Sequence, residues 1–188
     1  MHSRRFLLAP LATGFLGLTL CFTGTGFAQT TPLKSKVELT AEGGVTFKTP
    51  SWSETGPRKA DVAVLKNDKQ KGQNSALLLL ISVEKGPKKT PDWDTIRTNI
   101  VQAAEQNKAS LRLTLKDDFS RVNGVAGKRM EGSLLIAGSE SATLSVEIVV
   151  LHKEGRVATV SLVRSISQES GNDLVGNVAA SAVFGPQR

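Results

Sequence analysis

Apolar and polar residues alternate along several short stretches of this chain, as they do in β-strands with one buried face. Residues 37–39 and 45–48 are strand candidates, separated by the glycine-bearing turn at 42–44. Residues 61–66 alternate in the same way, whereas residues 76–83 are apolar at almost every position. An apolar run of this length predicts a central strand that is covered by helices on both faces.

A helical period replaces the alternation between residues 90 and 108. Thr90 can cap this helix, Pro91 suits its first position, and Asp92 with Asp94 would meet the positive end of the helix dipole. The segment is therefore predicted to be a surface helix lying on a sheet. Its apolar face would consist of Trp93, Ile96, Ile100, Val101 and Ala104.

Short loops with Gly124, Gly138 and Gly155 separate the next strand candidates, which predicts an antiparallel meander. These candidates are residues 111–119, 125–136, 142–151 and 157–164.

A second helix is predicted to start on Asn172 and to close the fold. Its buried stripe would be made by Leu174, Val175, Val178, Ala182 and Val183. The order of elements predicts the α+β class, with a largely antiparallel sheet of about six to eight strands and helices packed against it.

The first 28 residues have the layout of a cleaved signal peptide. Arg4 and Arg5 give a positive start, residues 6–22 are mainly apolar, and Ala28 ends a run of small residues. Glycine, proline and threonine make this run a poor membrane-spanning helix, which needs about 20 apolar residues. We expect a periplasmic or secreted protein with no transmembrane segment after the leader is removed.

The predicted organisation is a leader at 1–28, a flexible lead-in at 29–36 and one domain at 37–188. The paired arginines leave the general and twin-arginine export routes open. A lipid-anchored form through Cys21 is the less favoured alternative, because Leu20 stands where a small residue is expected. No cysteine follows Cys21, so the domain can form neither a disulfide nor a thiolate metal site.

Charge and aromatic content narrow the classes of partner. The chain has a net charge of +7, and the leader carries two of these charges, so the domain is mildly basic. Such a charge favours acidic partners, although it is also an ordinary way to stay soluble. Because the chain has no tyrosine and few other aromatic residues, stacking platforms for sugars or single-stranded nucleic acid are not expected.

Several segments resemble the PsbP-like superfamily in their layout and spacing. This superfamily includes extrinsic photosystem subunits, Ran-binding Mog proteins and bacterial envelope proteins of the DcrB kind. The resemblance spans about residues 37–184, and it implies an α/β/α sandwich with an accessory or binding role rather than enzymatic activity. The segments that carry it include VTFKTPSW, VNGVAGKRMEG, EIVVLHKEGRVATVSL and ASAVF.

The chain shows no convergent set of catalytic residues. After the leader it has one histidine, His152, beside Lys153 and Glu154 at a predicted hairpin turn. A lone histidine in such a place is interpreted as a solvated turn residue, because catalytic and ligating histidines need partners. We therefore predict no catalytic residue, no metal site and no cofactor.

One cluster of basic residues is a candidate binding surface. If strands 61–66 and 76–83 pair as a hairpin, five cations meet at the start of the main helix, where backbone amides also favour anions. The alternative is that these side chains only keep loops solvated and sheet edges monomeric. This basic rim consists of Arg58, Lys59, Lys85, Lys88 and Lys89.

These observations predict an exported, non-enzymatic accessory or binding protein of the bacterial cell envelope. Its partner would be a protein or an anionic envelope component. Two alternatives stay open: an enzyme whose distributed polar site cannot be seen in the sequence, and a small-ligand carrier with a cavity between sheet and helix.

Overall fold

The computed structural model describes residues 32–55, 59–67, 78–136, 143–165 and 173–186. Its helices are α1 (Trp93–Gln106) and α2 (Leu174–Ala180), and Ala41–Gly43 forms a 3₁₀ turn. No helix within these ranges is long and apolar enough to cross a membrane. The described strands are β1 (Ser35–Leu39), β2 (Val45–Thr49), β3 (Ser53–Glu54), β4 (Val62–Lys66), β5 (Leu78–Lys85), β6 (Ala109–Asp118), β7 (Ala126–Ile136), β8 (Thr143–Lys153), β9 (Arg156–Ser165) and β10 (Val183–Phe184).

Seven of the described strands form one antiparallel main sheet, in the order β3-β4-β5-β9-β8-β7-β6. Strands β6 to β9 are neighbours in the chain and in space, which is the predicted meander. Strands β4 and β5 pair as the hairpin that the basic rim requires. The prediction of an α+β fold with a largely antiparallel sheet is confirmed.

The central strands of the main sheet bury side chains on both faces. In β5, Leu79 and Ile81 join the core on one face, and Leu80 joins the core on the other. The prediction that this apolar run forms a central strand is confirmed, although the strand begins at Leu78. We call the face under α1 the helix face and the opposite face the sandwich face.

A second, three-stranded sheet covers part of the sandwich face, with the order β1-β2-β10. Phe47 of β2 and Val37 of β1 pack into the same core as Val160 of β9. A single sheet was predicted, and the separation of β1 and β2 from it is a difference. Strand β1 also begins at Ser35, inside the predicted lead-in.

The second helix is shorter than predicted. Asp173 caps α2 by accepting a hydrogen bond from the amide of Gly176 at 2.9 Å, while Asn172 lies outside the described residues. The predicted buried stripe through Val183 is wrong, because Val183 lies in β10 and is 65% exposed. The backbone there pairs with β2 instead of continuing the helix.

Candidate functional site

The predicted basic rim lies at one end of the main sheet, where β4 begins and β5 ends. The amide of Val83 donates to the carbonyl of Asp61 at 2.9 Å, so the pairing of these strands extends toward the rim. The ammonium groups of the rim have no ion-pair or hydrogen-bond partner within the described residues. Its exposed members are Lys59, Lys85, Lys88 and Lys89, whereas Arg58 lies outside the described residues.

The loop that follows β5 is tied to the turn between β8 and β9. The amide of Gly86 donates to the carbonyl of Gly155 at 2.7 Å. His152 is only 5% exposed, and its Nε2 donates to the carbonyl oxygen of Pro87 at 2.7 Å. The interpretation of His152 as a solvated turn residue is therefore wrong. His152 lies in β8, under this loop. The sequence analysis placed it after the end of the strand.

The start of α1 differs from the prediction in a way that affects the rim. The cap is Asp92 rather than Thr90, and the helix begins at Trp93, after Pro91. The Asp92 carboxylate accepts hydrogen bonds from the hydroxyl of Thr95 at 2.7 Å and from the amide of Asp94 at 3.3 Å. These bonds lower the pKa of Asp92. The Asp92 carboxylate thus already accepts hydrogen bonds at the start of α1, where the backbone amides were expected to attract an external anion.

Glu84 is a carboxyl group in this region that sequence reasoning missed. It precedes Lys85 at the end of β5 and pairs across the sheet with Val157. Burial raises its pKa to about 7, because little water is left to solvate the charged form. Near neutral pH this end of the sheet therefore carries less negative charge than its sequence indicates.

A polar groove of about 490 Å³ lies on the sandwich face, beside α2 and toward the edge strand β6. A Cβ atom at Gly132 would approach the carbonyl oxygen of Arg112 to 1.7 Å, so β6 and β7 run very close together there. No aromatic or aliphatic side chain lines the groove. Its lining residues are Thr114, Lys116, Glu131, Gly132, Ser145, Glu147 and Arg164.

Two ion pairs line the groove, each between side chains of neighbouring strands. Glu131 of β7 and Glu147 of β8 face each other directly across neighbouring strands. Lys116 of β6 lies 3.3 Å from Glu131, and Arg164 of β9 pairs with Glu147. Each carboxylate is thus neutralised by a cation from the strand on its other side, which offsets the repulsion between like charges placed opposite each other.

Hydroxyl groups without partners lie between these charges. Ser133 of β7 and Ser145 of β8 are directly opposite, and Ser133 also faces Arg112 of β6. Thr114 lies two residues further along β6, on the same face of the sheet. Within the described residues, these three hydroxyls and the Arg112 guanidinium have no hydrogen-bond or ion-pair partner.

An ionic cluster around Asp173 joins the start of α2 to strand β7. Asp173 lies 2.7 Å from Arg129 of β7 and 2.6 Å from Arg121. Burial opposes its ionisation, but the bonds from Arg129 and Gly176 and the two guanidinium charges outweigh that effect and lower the pKa of Asp173. The cluster fixes the start of α2 against the sheet.

The described charged groups do not gather as a metal centre requires. Over the described ranges, no three His, Cys, Asp or Glu side chains come together in a geometry that could hold a metal ion. His152 is bonded to a backbone carbonyl and lies on the helix face, away from the carboxylates of the groove. The arrangement suits binding through hydrogen bonds and charge.

A weak sequence signal for the groove was present. Every second residue of β6 is polar on the side opposite Leu111 and Leu113, and the same holds for Glu131 and Ser133 in β7. This alternation predicts a polar face. It does not predict which strands are adjacent, and only the strand order brings the polar residues of four strands together.

Solved structures of similar fold were found. The chain matches the solution structure of cyanobacterial PsbP (CyanoP) from Synechocystis with a TM-score of 0.53 and 15% identity, covering 85% of this chain and 98% of that one. It matches the Saccharomyces cerevisiae Ran-binding protein Mog1p with a TM-score of 0.57 and 7% identity, over 80% and 94% of the two chains. A Mog1 mutant matches with a TM-score of 0.50 and 11% identity, over 80% and 95%.

The chain has the PsbP-like fold. The fold implied by the resemblance is confirmed by the PsbP and Mog1 structures, while the resemblance to DcrB-type proteins stays a prediction. No protein-family model and no curated protein sequence matches the chain. At these identities the likeness is one of fold, and a fold alone does not determine a function.

Proposed function

We propose that this chain is an exported, non-enzymatic binding protein of the bacterial cell envelope, and that it uses the basic rim to hold a partner with an acidic surface. The observation that carries the proposal is the rim itself. Its lysines are exposed and lack ion-pair partners within the described residues, at one end of a well-packed sheet.

Hydrogen bonds hold the loop that carries part of the rim. The loop bearing Lys88 and Lys89 is held by the bond from His152 to Pro87 and by the bond from Gly86 to Gly155. A loop that is already ordered loses little conformational entropy when a partner binds. The cations therefore present a preformed surface rather than a flexible tail.

The fold is compatible with this role. The yeast Mog1p structure is that of a Ran-binding protein, so a PsbP-like domain can serve protein recognition. The export part of the proposal rests on the leader at residues 1–28, with cleavage after Ala28. The acidic surface could belong to a protein or to an anionic polymer of the envelope, and the experiment below separates them.

The test is crosslinking of the full chain in intact cells, followed by mass spectrometry of what co-purifies. We expect a chain that begins at Gln29 and one dominant protein partner, with capture strongly reduced when Lys85, Lys88 and Lys89 are all changed to Gln. A matched control changes Lys34, Lys36 and Lys48, exposed lysines in or next to the small sheet, and should leave capture intact.

Each result has a defined meaning. Unchanged capture by the rim variant would overturn the rim as the binding surface. Binding to an anionic polymer without a protein partner would keep the rim but replace the partner. A chain that begins at a lipidated Cys21 would replace the free periplasmic or secreted form by an anchored one.

A further inference from the structure

We infer that the polar groove on the sandwich face is a binding site for a small polyhydroxylated anion, such as a sugar acid or a sugar phosphate. This site is separate from the basic rim. The rim is at the end of the sheet where β5 finishes, whereas the groove lies across β6 to β9 beside α2.

The first argument is the size and polarity of the groove. Its volume of about 490 Å³ falls within the range of roughly 300–1,000 Å³ that small-ligand sites occupy. Its described side chains end in hydroxyls, carboxylates and cations, so it offers little apolar surface to a lipid or an aromatic ligand. A ligand rich in hydroxyl groups matches this lining.

The second argument is the presence of hydroxyls that have no partners. Thr114 and Ser145 line the groove, and Ser133, directly opposite Ser145, lies next to the lining residues; none of these hydroxyls has a hydrogen-bond partner within the described residues. A serine or threonine hydroxyl can both donate and accept a hydrogen bond. Groups spaced by about 4.8 Å, the distance between strands, can address successive hydroxyls of a polyol.

The third argument is charge. The pairs Lys116–Glu131 and Arg164–Glu147 are internally neutral, and Arg112, which faces Ser133 next to the lining residues, adds a further positive charge. Arg112 is exposed and has no ion-pair partner within the described residues. A guanidinium binds carboxylate or phosphate with two parallel hydrogen bonds, so one anionic group on the ligand is expected there.

The ion pairs also give the groove rigidity. The side chains of Arg164 and Glu147 are only 13% and 12% exposed, so they form a fixed floor rather than mobile surface charges. Carboxylates held in this way can accept hydrogen bonds from ligand hydroxyls without moving. The second pair, Lys116 with Glu131, is more exposed and lies at the mouth of the groove, next to solvent.

The test is isothermal titration calorimetry of the full chain without its leader, with glucuronate, glucose 6-phosphate and glucose as probes. We expect saturable binding of at least one anion and much weaker binding of glucose. A preference for glucuronate would assign a carboxylate ligand, and a preference for glucose 6-phosphate would assign a phosphate ligand. The absence of saturable binding of both anions up to about 10 mM, the weak end of ordinary ligand affinities, would overturn the proposal.

Variants localise the site. Arg112→Gln should weaken binding of the preferred anion about tenfold, because a charge-assisted hydrogen bond is lost. Ser145→Ala should weaken binding of the anion by a smaller factor, since a neutral bond is lost. The control Lys36→Gln removes an exposed cation from β1 and should leave affinity unchanged. Equal affinities for Arg112→Gln and the unmodified chain, with both folded by circular dichroism, would contradict the assigned site.

Discussion

The sandwich face of the main sheet has two halves, and the same strands run through both. In β8, Val149 and Leu151 lie under the second layer and are fully buried, whereas Ser145 and Glu147 line the open groove. In β9 the same change occurs between Leu162 and Arg164. On this one face of the sheet, the side chains of each strand thus change from apolar to polar at the point where the second layer ends.

This difference separates two roles within one surface. The covered half provides stability, because its side chains remove apolar area from water. The open half carries polar side chains, although these side chains point to the same face of the sheet as the apolar ones of the covered half. Experiments that weaken one half should therefore leave the other half almost intact.

The largest effect is expected in the covered half. Phe47→Ala removes a ring that is 0% exposed and should lower the free energy of unfolding by about 3–5 kcal/mol. The matched control is Leu135→Ala, which truncates a 45% exposed side chain beside the groove and should cost less than about 0.5 kcal/mol. Urea unfolding measures both changes. Equal losses would contradict the division into two halves.

The next effect concerns a carboxyl group that is mostly buried and has no cation partner in the part of the chain that the structure describes. The pKa of Glu84 is raised to about 7 in the folded chain from 4.5, so the folded state holds a proton that the unfolded state releases. Stability should therefore fall as the pH rises from about 4.5 to about 7, by up to about 3 kcal/mol, and then level off.

Glu84→Gln should remove this pH dependence. The variant should be more stable than the unmodified chain at pH 8.5 and close to it at pH 5, where the native carboxyl is protonated. Thermal unfolding at the two pH values measures the difference. A variant that is equally stable relative to the unmodified chain at both pH values would contradict the raised pKa.

The boundary between the two halves should respond to a single methyl group. A Cβ at Gly176 would lie 2.2 Å from a carboxylate oxygen of Asp173 and 2.5 Å from the guanidinium of Arg129. Gly176→Ala should therefore destabilise the chain by about 1–3 kcal/mol, although the same change normally stabilises a helix. A double-mutant cycle with Asp173→Ala checks the cause, because Gly176→Ala should cost less once that carboxylate is gone. Additive effects would point to another origin.

The smallest effect is expected from the outer ion pair of the open half. The side chains of Lys116 and Glu131 are 44% and 42% exposed, so water and salt weaken their attraction. A double-mutant cycle with Lys116→Ala and Glu131→Ala should give a coupling of about 0.2–1 kcal/mol that decreases in 0.5 M NaCl. A coupling well above this range would show that the pair is a structural element of the fold.

The sequence predicts elements well where local patterns decide them. The run that contains Leu79 and Ile81 predicts a doubly covered strand, and the spacing of Ile96 and Ile100 predicts the face of α1. The sequence does not predict an element whose structure depends on pairing between distant segments. Val183 suits the apolar stripe of a helix, but pairing with Thr46 places it in a strand, and no local signal indicates this.

The site follows the same division. The pairing of β4 with β5 could be predicted, whereas the use of the nearby lysines as a binding surface stays a prediction. The groove could not be predicted, because Arg112 and Arg164 are neighbours of the same serine pair only through the order of four strands. His152 was misjudged because its burial depends on a loop 65 residues away.

The pairing of β10 with β2 has a consequence for the order of folding. Strand β10 leaves the ribosome after every other described strand, so β2 must wait for its second neighbour until synthesis has passed Phe184. The guanidinium of Arg156 then binds the carbonyl of Gly185 at 2.7 Å and closes the small sheet against β9. Contacts between such distant segments form slowly, so the apolar surface that this sheet covers stays exposed longest during biogenesis.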